Sequence, residues 1–195
     1  METHSVTQLQ ITNVLNEWKT IVTSKTKGMK EALDRLKKLR EQGLFIEYAI
    51  VYAQLVEHYV KLILEGYASR QRIWHILDIR DPYAVSLHKI DDDTLGDLIG
   101  KLKKLNNDTQ LTDQLSRLNT LRKELVHQLF NGRNNIEEAD IRASIYINND
   151  CPALMEDLYA LATSINQEIG KIADLAKNST PDGTRTRKSA PQQKT

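Results

Sequence analysis

The sequence predicts an all-α fold, a bundle of amphipathic helices. Three observations predict it. Apolar residues recur three or four positions apart through most of the chain, the spacing of a single helical face. Glycine and proline are few, 8 and 4 in 195 residues, and 27% of the residues are charged, a composition that favours helices. No strand alternation of any length appears, apart from one short stretch at Ser144–Ile147. The length suits one helical domain over residues 1–177, followed by a polar, basic tail over residues 178–195 that is expected to be disordered.

The first helix is expected from near Thr7 to Lys25, with Leu9, Val14, Leu15, Trp18, Ile21 and Val22 on its buried side. Thr26-Lys-Gly28 reads as a kink or brief break. Met29 to Arg40 follows, with Met29, Ala32, Leu33, Leu36 and Leu39 inward and Lys30, Arg35, Lys37, Lys38 and Arg40 outward. Such a basic run suits a solvated face. The functional alternative is a rim that attracts phosphates.

Gly43 closes that helix and opens the next. Leu44 to Gly66 is the most apolar segment, with one narrow polar stripe of Glu47, Gln54, His58, Lys61 and Glu65. A helix apolar around most of its girth belongs at the centre, covered by its neighbours or by a second subunit. Ala68 to Ile79 extends or restarts it, with Ile73, Trp74 and Leu77 inward, and Asp81-Pro82 is the expected stop. Tyr83 to Ile90 reads as a loop with one turn. Asp91-Asp-Asp93 then places acids where a helix macrodipole favours them. Thr94 and Asp97 have the spacing of a capping box, and Lys101, Lys103 and Lys104 fall at the favourable end of that helix. The acidic run therefore has a structural explanation and needs no metal.

Thr109 to Asn131 reads as one uninterrupted helix. Leu111, Leu115, Leu118, Leu121, Leu125 and Leu129 mark its buried stripe, Asp108 or Thr109 caps its start, and Asn131-Gly132 stops it. Arg122 lies only about 40° from the middle of that stripe. A guanidinium so near a core face must reach solvent, pair with an acid or serve a site. Glu57, off the polar stripe of its own helix, is the candidate acid. His127 points roughly the other way, flanked by Val126 and Phe130.

Ile136 to Ile147 reads as a helix, or as a helix turning extended at Ser144–Ile147. Asn148-Asn-Asp150 reads as a turn. The last helix opens at Cys151-Pro152 with Asp150 as cap, and Leu154, Leu158, Leu161, Ile165, Ile169, Ile172 and Leu175 hold its period.

The run Arg122-Lys-Glu-Leu-Val-His127, on a late helix of a small all-helical protein, resembles the Arg-x4-His motif of the HEPN superfamily. The resemblance implies a HEPN-like helical bundle. It also implies that Arg and His from two facing subunits form a metal-independent RNA-cleaving site, with Arg122 and His127 catalytic. Lys123 departs from the Asn, Asp or His common after the motif's Arg; with Glu57 it is an expected supporting residue. A second match to the spacing, Arg70-Gln-Arg-Ile-Trp-His75, falls in a shorter segment with weaker context.

Composition narrows the remaining classes. The net charge of +1 argues against a surface coated in cations for stable nucleic-acid binding, though not against a local basic cleft. The single cysteine, Cys151, rules out an intramolecular disulfide framework and suits a reducing cytoplasm. No signal peptide, membrane span, paired metal-ligand motif or Gly-rich phosphate loop is expected. The expected function is thus a metal-independent endoribonuclease, acting as a toxin or abortive-infection effector on RNA, as a homodimer, without cofactor. An antitoxin or nucleotidyltransferase is a further expected partner. The alternative is a catalytically silent HEPN-like module that binds a partner protein or a nucleotide, for example with a minimal nucleotidyltransferase.

Overall fold

The computed structural model describes residues 2–79, 87, 90–131 and 136–178. Those residues form six helices: α1 (Glu2–Glu41), α2 (Phe45–Ile76), α3 (Leu95–Leu105), α4 (Thr109–Asn131), α5 (Ile136–Asn149) and α6 (Cys151–Asn178), with a 3-10 turn at Ile90–Asp92 before α3. No strand occurs among the described residues. The all-α expectation holds.

Helix α2 is the axis of the bundle and packs against each of the other five helices. Its apolar girth is covered within the chain: Tyr52, Ala53, Val56, Val60, Ile63, Leu64 and Ile73 are all buried. Around it, Val14 and Trp18 of α1, Leu98 and Leu102 of α3, Leu111, Leu115, Leu118 and Leu125 of α4, and Leu154, Leu158 and Ile165 of α6 close one continuous core. Of the two coverings expected for α2, its neighbours or a second subunit, the neighbouring helices of the same chain supply it.

The expected break at Thr26–Gly28 does not form, and α1 is continuous across it. One glycine inside a helix costs only about 1 kcal/mol relative to alanine. The packing of α1 along α2, from Ile11 to Leu39, outweighs that cost. Thr26 keeps its hydroxyl satisfied by donating to the Val22 carbonyl at 2.8 Å. The buried line of α1 begins at Ile11, Val14 and Trp18; Leu9 and Leu33, expected inside, are 61% and 45% exposed.

Two left-handed residues end the first two helices. Gly43 (φ 71°) ends α1, its N–H bonding to the Arg40 carbonyl at 3.1 Å and that of Leu44 to the Leu39 carbonyl at 3.0 Å. Asp78 (φ 55°) does the same for α2, with bonds from Asp78 to His75 and from Ile79 to Trp74. The stop therefore comes before Asp81-Pro82, which lies outside the described residues, as does most of Tyr83–Lys89.

The capping box at α3 forms: the Asp97 N–H donates to Thr94 Oγ1 at 3.5 Å and the Thr94 N–H to the Asp97 carboxylate at 3.2 Å. Helix α5 runs through Ser144–Ile147 without turning extended. Ala139, Ala143 and Ile147 are its buried residues, four apart, so the local alternation yields to a helical face. At α6, the Asp150 carbonyl accepts from the Leu154 N–H at 3.2 Å, while the Asp150 side chain pairs with Arg117 at 3.5 Å. Leu154, Leu158, Ile165, Ile169 and Ala173 are buried, whereas Leu175 is exposed. Helix α6 ends at Asn178, one residue past the expected boundary at 177; the rest of the tail lies outside the described residues. Among the described residues no helix is long and apolar enough to cross a membrane.

Candidate functional site

Helix α4 has the boundaries that the leucine period predicts. Its start is fixed by the Asp108 carboxylate, which accepts from the Leu111 N–H at 3.0 Å. With Leu111, Leu115, Leu118 and Leu125 locked in the core, the rotation of the helix is set. Asn119, Arg122, Lys123, Val126 and His127 then fall along one edge of it, and together with Thr94 at the start of α3 they border a cleft of about 370 Å³. Arg122 and His127 diverge by about 140° around the helix, yet both line this cleft. The two helices approach closely at its rim: a Cβ on Gly96 would lie 3.4 Å from Asn119 Nδ2.

Two cationic side chains, Arg122 and Lys123, border the cleft beside Thr94, Asn119, Val126 and His127. Lys123 and His127 are exposed, and Arg122 and Val126 are half-buried. The Arg122 side chain keeps 34% of its surface in solvent and borders the cleft on one flank. On the other flank its Nη1 donates to Glu57 Oε2 at 2.9 Å. Glu57, guessed from charge alone, is thus the acid that meets Arg122. Its second oxygen takes Lys61 Nζ at 3.2 Å, one turn along α2. Lys61 Nζ also donates to the Asp91 carbonyl at 2.9 Å, and the Asp91 carboxylate meets Lys25 of α1 at 3.0 Å. At the mouth, hydrogen bonds from Thr94 hold the Asp97 carboxyl below its usual range, with the positive charges of Lys101 and Lys123 adding to the effect. Farther back on α2, burial and the nearby Lys25 lower the pKa of His58.

Glu124, within the motif, faces away from the cleft and lies 3.8 Å from Arg142 of α5. The side chain of Phe130 lies outside the described residues. Asn119 and the bridging Lys61 were not singled out for this site from the sequence, and Thr94 only as a cap. Asn119 had a usable signal, since it stands three residues before Arg122 on the same helical face.

The second Arg-x4-His match is taken apart by the fold. Arg70 is only 6% exposed and pairs with Glu168 of α6 at 2.5 Å. Its guanidinium lies 4.7 Å and 4.5 Å from the ring centres of Tyr67 and Trp74. His75 is exposed beside a separate groove with Arg72, which bonds Glu17 at 2.6 Å. Arg70 thus knits α2 to α6, and no shared cleft joins it to His75 among the described pockets.

Among the described residues, no three His, Cys, Asp or Glu side chains converge as a metal site. Among the described residues, fold and cleft together define an all-helical bundle with an Arg- and His-bordered cleft between α3 and α4. Compared with protein-family models, curated proteins and solved structures, the chain matches none.

Proposed function

We propose that this protein is a metal-independent endoribonuclease of HEPN type, acting as a toxin or defence effector. The observation that carries the reading is the joint placement of Arg122 and His127 on one solvent-open cleft of phosphate-compatible size and charge. In the reaction, the ribose 2′-oxygen attacks the adjacent phosphorus and the bond to the 5′-oxygen breaks. The 2′-hydroxyl proton passes to one imidazole, and the departing 5′-oxygen takes a proton from a general acid. The products are a 2′,3′-cyclic phosphate and a 5′-hydroxyl. Histidine suits both proton steps near neutral pH. Arg122 presents a planar fork of donors to the phosphorane oxygens, where charge accumulates.

Because Arg122 and His127 stand about 7.5 Å apart along the helix axis, one copy spreads them widely around a single phosphate. A two-fold dimer with facing α4 helices would bring two of each to one substrate. Val126, half-buried at the cleft, remains available for that contact. Incubation of the full chain with RNA, followed by end-group analysis, tests the reading.

A second reading has its own support. The Glu57 carboxylate already holds Arg122, and Lys123 replaces the small polar group or His common after the motif's Arg. Both features suit a silent module that binds a nucleotide or a partner protein, such as a minimal nucleotidyltransferase. Phosphate binding without cleavage would select it.

A further inference from the structure

We infer that Lys61 is a positioning residue for the cleft, acting on Arg122 through Glu57; the inference rests on the reading that Arg122 receives a phosphate. The geometry is a shared carboxylate. Glu57 gives Oε2 to Arg122 at 2.9 Å and Oε1 to Lys61 at 3.2 Å. Lys61 cannot easily leave, because its side chain is only 14% exposed and its ammonium also donates to the Asp91 carbonyl at 2.9 Å. Asp91 is itself held by Lys25 at 3.0 Å, so the chain of contacts spans α4, α2, the 3-10 turn and α1.

The charge count explains what Lys61 does. A lone Glu57 would meet Arg122 with both oxygens and cancel its charge toward an incoming anion. With Lys61 claiming one oxygen, the triad keeps one net positive charge, and the guanidinium is held from one side only. Its solvent-facing donors stay aimed at the cleft. Lys61 itself is not among the residues that line the cleft, so it works on the anion indirectly.

The test is a double-mutant cycle on the full chain, with inorganic phosphate as the probe and calorimetric titration as the readout. Lys61→Met is expected to weaken phosphate binding about tenfold, the scale of one charge-assisted hydrogen bond. Lys61→Arg should restore most of it. In a Glu57→Gln background, where no carboxylate competes for Arg122, Lys61→Met should have little effect. Equal weakening in both backgrounds, or none in either, would overturn the inference. Melting temperature and helicity measured on each variant separate a folding defect from lost positioning. Arg122→Ala is the control: if phosphate binding survives it unchanged, the assignment of the cleft itself fails, and the role of Lys61 falls with it.

Discussion

Arg122 of α4 and Glu57 of α2, 65 residues apart in sequence, meet at 2.9 Å on the inner flank of the cleft. The pair is partly exposed, so its direct contribution to stability is modest, about 1 kcal/mol or less. On the proposed reading its role is to orient Arg122. Glu57→Gln is expected to shift the melting temperature little and to leave phosphate binding at least as tight. If Arg122 acts in the proposed cleavage, the same change should lower kcat about tenfold, since misaiming a reacting group costs rate more than affinity. Steady-state kinetics alongside thermal denaturation checks this; a large stability loss with unchanged kcat would make the pair merely structural.

Two glycines should respond to alanine with opposite signs. A Cβ at Gly66 would sit 2.7 Å from Ile165 Cγ2 and 3.1 Å from Trp18 Cη2, and Ile165 is itself buried and stiff. Gly66→Ala should therefore destabilise by about 1–3 kcal/mol. Gly28 has nothing within 4 Å of such an atom, so Gly28→Ala should stabilise by about 0.5–1 kcal/mol through helix propensity. Chemical denaturation of the two variants decides.

Stability should fall in strong alkali. Burial is the main cause that pushes the Cys151 thiol up to about 12, from an ordinary 9.0. A group whose folded pKa is raised favours the folded state below its unfolded pKa, and that advantage is lost as pH rises toward the folded value. Unfolding free energy should thus decline between about pH 9 and 12. Tyr52, whose hydroxyl donates to the Cys151 carbonyl at 2.7 Å, is shifted the same way by burial and reinforces the trend. Denaturation curves across that range, compared with Cys151→Ala, measure the thiol's part. A flat profile would mean that the thiol is not desolvated.

Much of this fold is legible in the sequence, for physical reasons. Helix α4 is found from end to end because its leucine stripe, its Asp108 cap and its Asn131 stop all agree. The Thr94–Asp97 box is read correctly because capping is local chemistry. Local signals mislead where tertiary packing overrides them, as at Gly28 and at Ser144–Ile147, both absorbed into helices. Leu9, Leu33 and Leu175 look like core but face solvent, since a period alone does not show where a neighbouring helix stops. At the cleft, charge points to the Arg122–Glu57 pair, which forms, and the spacing singles out Arg122 and His127, which border one cleft. The Lys61 and Asp91 links come from contacts between distant segments, which no single stretch of sequence contains.

If the cleft works as a two-fold pair, Arg122→Ala and His127→Ala proteins, each inactive alone, should regain part of the activity when mixed. Sedimentation at micromolar concentration should show a dimer. A monomer with full activity would contradict the two-copy arrangement.

The most direct test is cleavage itself. The purified protein is incubated with RNA in excess chelator, and the ends are analysed by mass spectrometry beside His127→Ala and Arg122→Ala variants of unchanged helicity. Cleavage by this site should leave 2′,3′-cyclic phosphate ends with the unaltered protein and intact RNA with both variants. Intact RNA throughout, or cleavage that survives His127→Ala, would contradict the proposed reading.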